Sequence, residues 1–150
     1  MRIRGATAED IGQLVEMGAR MHAEGAYSFL PYDAEKVRRL GASFLQNPET
    51  HCLLVAEHDG ALVGMLGGYV TDYYFCEEKL ACDQFFFVDR PWRGSRAAVR
   101  LISAFREWAA ARGARELCLA TSLGGKIEKI GHFYETLGLT CVDGVYKQRL

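Results

Sequence analysis

Arg93, Gly94, Ser95 and Arg96 stand between an aromatic, β-branched run (Phe85, Phe86, Phe87, Val88) and a segment in which Ala98, Leu101, Ile102, Phe105, Trp108 and Ala109 recur at three- and four-residue steps. The run has the composition of a buried strand and is ended by Arg90 and Pro91. The spacing that follows makes an amphipathic helix, with Arg96, Arg100, Ser103, Arg106 and Glu107 around the rest of the barrel. A strand that passes through a short basic, glycine-bearing turn into a helix is a place to hold a phosphate. The first four N–H groups of a helix lack intrahelical partners, and the dipole puts about half a positive charge there. The competing use of these arginines is a solvated helix face.

Other chemistries find less support. His22, His51, His58 and His132 show no metal-ligand spacing, so no metal is expected. The cysteines Cys52, Cys76, Cys82, Cys118 and Cys141 are odd in number and make no C-x-x-C pair, which reads as buried, reduced thiols of a cytosolic protein. Cys82 and Cys118 have no visible base partner, which disfavours a covalent acyl-cysteine. The net charge of -1 argues against general nucleic-acid binding. No apolar stretch approaches the ~18 residues of a membrane span, and no signal peptide is seen, so a cytoplasmic protein without a membrane partner is expected.

The elements that position the basic turn follow from the same patterning. Met1 to Ala6 reads as a strand, then Thr7 to Asp10 as a capping box opening a helix with Ile11, Leu14, Val15 and Gly18 inward, ending near Ala23. An irregular aromatic segment holds Tyr27, Phe29 and Tyr32; Asp33 caps a second helix carrying Val37, Leu40, Phe44 and Leu45. Cys52–Ala56 and Ala61–Val70 form a hairpin through Asp59-Gly60. Tyr73 to Glu78 connect to the strand ending at Val88, and the helix after Gly94 stops near Arg112-Gly113. Leu117–Ala120 reads as a buried strand; Gly124 and Gly125 open a helix with Ile127, Ile130, Tyr134 and Leu137 on one face; Leu139–Val142 and Val145–Arg149 read as a closing hairpin. The order β-α-α-β-β-β-α-β-α-β-β is an α/β (α+β) sandwich, and 150 residues with 49% apolar content suit one domain over 1–150.

Arg93-Gly94-Ser95-Arg96-Ala97-Ala98 resembles the acyl-CoA signature of the GCN5-related N-acetyltransferase (GNAT) superfamily: Gln or Arg, two residues, Gly, one residue, then Gly or Ala. Arg96 stands where the inner glycine belongs. His132-Phe133-Tyr134-Glu135-Thr136-Leu137-Gly138-Leu139 is similar to that family's phenylalanine-tyrosine helix, and Gly144-Val145-Tyr146-Lys147 to its last hairpin. The variant looks like a small subgroup common in phage and bacterial genomes. The resemblance implies a mixed, mostly antiparallel central sheet flanked by helices, the acyl-CoA N-acyltransferase fold.

It also implies acetyl-CoA as co-substrate and transfer of its acetyl group to a primary amine by direct attack in a ternary complex. Arg93, Gly94, Ser95, Arg96, Ala97 and Ala98 would hold the pyrophosphate, while Phe86, Phe87 and Val88 would offer backbone groups to pantetheine and the thioester oxygen. Tyr134 matches the family's general acid; the other use of such a tyrosine is core packing. The base is left among Asp83, preferred for its place in the strand leading to the coenzyme, Glu77, Glu78 and a water. Tyr27, Phe29, Tyr32, Tyr73 and Tyr74 would flank a small-molecule or peptide amine; covering the core or making a homodimer contact is the other use of exposed aromatics. A non-catalytic acyl-CoA sensor and an assembly or interaction module are the alternative functions.

Overall fold

The computed structural model describes residues 1–121 and 127–149. Five strands form one sheet in the order β1-β2-β3-β4-β5: β1 (Arg2–Gly5), β2 (His51–His58), β3 (Ala61–Asp72), β4 (Lys79–Val88) and β5 (Ala114–Cys118). The first three pairings are antiparallel, and β5 joins β4 in parallel. A parallel neighbour needs a crossover. Helix α3 (Ala97–Ala111) supplies it.

Alternation along the strands sends side chains to two cores. Leu53, Val55, Met65 and Phe87 pack beneath α1 (Ile11–Glu24) and α2 (Ala34–Gln46). Cys52, Ala56, Leu66 and Ala81 pack beneath α3, with Tyr134 of α4 (Ile127–Thr136) in the same cluster. With both faces covered, central β3 is buried without a break from Leu62 to Gly68.

Local chemistry fixes the element ends much as the sequence predicts. Asp33 accepts a hydrogen bond from Lys36 N–H at 3.0 Å at the start of α2. The hairpin residues Asp59 and Gly60 have φ of +50° and +79°, the positive pair that a two-residue turn requires. Asp10 accepts from Thr7 N–H at 2.7 Å ahead of α1 and also receives two hydrogen bonds from Arg4. That pairing holds the Asp10 carboxyl down at about 2, against the opposing effect of burial.

Three expectations are corrected. No strand forms over 139–149, where Val142, Val145 and Tyr146 are exposed and pair with no strand among the described residues. β5 lies at Ala114–Cys118 rather than at Leu117–Ala120, and as an edge strand it is largely exposed. Of the cysteines only Cys52 is buried; Cys76, Cys118 and Cys141 are exposed, all five being free thiols. Ile127 shares the face of Tyr134 but, as the first residue of α4, is left exposed. The expected Gly124-Gly125 helix start lies outside the described residues.

Candidate active site

The centre of the site is the place where β4 and β5 part. They pair from Lys79 and Ala114 to Cys82 and Cys118, and then β4 continues to Val88 with only β3 beside it among the described residues. On its β3 side Gly67 pairs with Phe85 and Gly68 with Asp83, which leaves Gln84 as a bulge. A bulge adds one residue to one strand and bends it. The two glycines allow this. A Cβ on Gly67 would enter the Phe85 ring, and one on Gly68 would meet the Phe105 ring and sit 2.9 Å from the Cys82 carbonyl. A glycine pair inside a strand is itself a bulge signal in sequence; it went unused in placing Gln84.

Asp83 and Tyr134 converge at this parting. The Asp83 carboxylate accepts Ala120 N–H at 2.8 Å, while the Tyr134 hydroxyl donates to Ala120 C=O at 3.2 Å. Burial pushes the Asp83 carboxyl up to about 6, opposed in part by the Ala120 amide and its own. Burial also raises the Tyr134 phenol, and the Asp83 charge adds to it. Tyr134 is therefore a fully protonated group at neutral pH. Glu77 and Glu78 lie on the exposed turn before β4, away from this pair.

The basic turn is more ordered than a loop of mobile arginines. A 3₁₀ turn over Arg90–Trp92 leads to Gly94 at φ +86°, which only glycine adopts without strain. Arg96 sits at φ −75°, ψ 0°, so the arginine at the signature's glycine position strains nothing. Ser95 N–H is bonded to Trp92 C=O at 3.1 Å and Ala97 N–H to Ser95 Oγ at 3.2 Å. Among the described residues this leaves the N–H groups of Gly94, Arg96, Ala98 and Val99 to receive an anion. Arg93 does not face the helix start: its Nε donates to Val88 C=O at 2.9 Å, its NH2 meets Glu24 at 2.9 Å, and its guanidinium lies over the Phe87 ring. Arg90 also reaches Glu24, at 3.1 Å, and Arg100 donates to Met1 C=O. Sequence reasoning missed Glu24, because an exposed-looking helix residue gives no sign of partners far along the chain.

On the other face of the sheet a cavity of about 370 Å³ opens between α1, α2 and β4. Leu14, Val15, Met21, Val37, Leu40 and Phe85 give it an apolar wall, with Gln84 at its base and Tyr27, Asp33 and Lys36 among its lining. Tyr32 also lines it and donates to Val15 C=O at 2.7 Å; its ring fills the space a side chain at Gly18 would need. A shallower open depression is lined by His51, Tyr69, Asp83 and Gln84, so Gln84 belongs to both. Phe29 lies outside the cavity, half-exposed beneath the Arg149 guanidinium. Tyr73 and Tyr74 do not line this cavity: the long β3 and β4 carry their turn to the opposite end of β4 from Val88, where Tyr73 bonds Glu116 and Tyr74 is fully exposed. Among the described residues no three His, Cys, Asp or Glu side chains converge as a metal site, and no helix is long and apolar enough to cross a membrane.

The family model of the Acetyltransferase (GNAT) family matches residues 19–138. No curated protein matches the sequence. Among solved structures, a transcriptional regulator from Bacillus halodurans C-125 superposes with TM-score 0.82 at 23% identity, covering 99% of each chain. Glucosamine-6-phosphate N-acetyltransferase from Arabidopsis thaliana gives 0.79 at 15%, over 99% of this chain and 97% of that one. An aminoglycoside antibiotic 6'-N-acetyltransferase from Acinetobacter haemolyticus gives 0.78 at 16%, over 100% and 99%. These likenesses are of fold; the family match, spanning the parted strands, the basic turn and the Tyr134 helix together, shows that the chain belongs to the GNAT acetyltransferase family.

Proposed function

We propose that the protein is an acetyl-CoA-dependent N-acetyltransferase that acetylates a primary amine by direct attack within a ternary complex. The observation that carries this reading is the convergence of Asp83 and Tyr134 on Ala120, beside a stretch of β4 whose β5-facing edge has no strand partner among the described residues. The family uses acetyl-CoA, and an edge with unpaired amides and carbonyls suits the two amides of pantetheine. The pyrophosphate goes to the N–H groups of Gly94, Arg96, Ala98 and Val99, with the Arg96 side chain as the added cation.

In the reaction the amine nitrogen bonds to the thioester carbon, a backbone N–H near Phe87 or Val88 receives the developing oxyanion, and the carbon–sulfur bond breaks. The amine proton passes to Asp83, directly or through water, and the Tyr134 proton passes to the departing sulfur. The two transfers assist each other. An ionised Asp83 raises the phenol; once Asp83 is protonated that repulsion ends, and the phenol, ordinarily near 10, moves towards the thiol at about 8.5.

The acceptor's body occupies the cavity between α1 and α2, whose lining is mainly apolar. That favours an amine on an apolar scaffold over a polycation. Calorimetric titration with acetyl-CoA, followed by thiol-release assays with arylalkylamines, polyamines and amino sugars, tests the reading. Saturable binding with turnover fastest on arylalkylamines is expected. Failure to bind acetyl-CoA would overturn the function, and binding without thiol release from any amine would make the protein a non-catalytic acyl-CoA sensor.

A further inference from the structure

Glu24 is the last residue of α1, and the aromatic segment from Gly25 to Tyr32 begins immediately after it. Its two carboxylate oxygens are divided between the two arginines of the basic turn: Oε1 meets Arg90 at 3.1 Å and Oε2 meets Arg93 at 2.9 Å. Burial would raise this carboxyl, but the hydrogen bonds from Arg93 and Arg90 hold it below the usual range. One turn earlier, Arg20 forms two hydrogen bonds of 2.8 Å with both oxygens of Asp89, the residue directly after β4. Arg93 in turn closes on Val88 C=O. The end of α1 is thus fastened at two points to the connection between β4 and α3. The acceptor segment hangs from one side of this fastening and the phosphate-holding turn from the other.

We propose that Glu24 and Arg20 are positioning residues that couple the two substrate sites, so that filling the phosphate turn orders the segment Gly25 to Tyr32. Planar two-point guanidinium–carboxylate contacts fix orientation as well as distance. A phosphate settling on the N–H groups of the turn steadies the backbone that carries Arg90 and Arg93, and through their contacts with Glu24 that order reaches the end of α1. Coupling of this kind is a free-energy difference between sites and works in both directions. The inference rests on the coenzyme reading above.

Amide hydrogen exchange of residues 25–32, with and without saturating acetyl-CoA, tests it in the wild type, Glu24→Gln, Arg20→Gln and Arg20→Lys. In the wild type acetyl-CoA should slow exchange of this segment about tenfold, which needs only about 1.4 kcal/mol of coupling. In Glu24→Gln and Arg20→Gln most of that protection should vanish although calorimetry still shows the coenzyme bound. Arg20→Lys, which keeps the charge and loses the two-pronged contact, should recover only part. A merely structural role would change exchange equally with and without coenzyme, leaving the ratio untouched. Undiminished protection in Glu24→Gln and Arg20→Gln, or no protection in a wild type that binds acetyl-CoA, would overturn the coupling alone; a wild type that binds no acetyl-CoA would overturn the coenzyme reading and the coupling with it.

Discussion

Asp83 and Tyr134 hold one residue between them, the carboxylate taking the N–H of Ala120 and the phenol its carbonyl. The pair therefore fixes the peptide chain just where β5 leaves β4, and it brings the proposed acid and base into electrostatic contact. Perturbed groups gathered at a strand divergence are where proton transfer is expected.

With the Asp83 carboxyl at about 6, turnover should rise as pH passes through that value and level off above it. Asp83→Asn should lower kcat and abolish this limb of the profile. The sign for stability is opposite: a carboxyl raised on folding favours the fold fully below its unfolded value near 3.8 and loses that contribution as pH rises through 6. An Asp83→Asn profile that keeps its inflection near pH 6 would remove Asp83 as the base.

Tyr134→Phe should reduce kcat by about 10²-fold while changing acetyl-CoA affinity by less than about twofold, because in the proposed mechanism the phenol acts on the leaving thiolate and not on the carrier. Loss of the bond to Ala120 should lower stability by about 1 kcal/mol. Unchanged turnover leaves Tyr134 only its packing role.

Arg96 and Arg93 should separate cleanly. Arg96→Ala should weaken acetyl-CoA binding about tenfold, with reduced salt dependence and no change in Tm. Arg93→Glu sets a carboxylate against Glu24 and Val88 C=O, so it should lower Tm as well as coenzyme affinity. Full coenzyme affinity in both variants would refute the proposed phosphate cradle.

Gly68→Ala should destabilise the protein by about 1–3 kcal/mol, since its methyl group would meet the Phe105 ring and the Cys82 carbonyl at 2.9 Å. Chemical denaturation measures this. Unchanged stability would mean that β3 and β4 can open at the bulge.

Asp10 should govern acid stability. Its carboxyl, lowered by Arg4 to about 2, favours the fold above its unfolded value near 3.8, and that contribution of about 1–2 kcal/mol is lost as pH falls through 2. Asp10→Asn should flatten this part of the pH–stability curve; a slope identical to the wild type would contradict the assignment.

Where neighbours in sequence decide structure, the chain was readable. The periodicity of Leu101, Ile102 and Phe105, the Asp59-Gly60 turn and the Asp33 cap all follow from contacts within a few residues. What resisted reading depends on distance along the chain. The carboxylate of Glu24 finds Arg90 and Arg93 only after the sheet has brought α1 to the end of β4. The position of Tyr73 and Tyr74 was not readable, because their composition suits a cleft wall as well as a remote turn, and only the lengths of β3 and β4 separate the two. The 139–149 segment has hairpin composition but makes no ladder, for strand propensity needs a partner to become a strand.

Among the described residues the β5-facing flank of β4 has no strand partner beyond Cys82, and this has a consequence for handling the protein. An uncovered row of main-chain donors and acceptors accepts any extended peptide, including the same strand from another molecule. A pantetheine arm lying there would act as a sixth, non-peptide strand, so acetyl-CoA should guard against self-association during concentration and storage as well as serve the reaction.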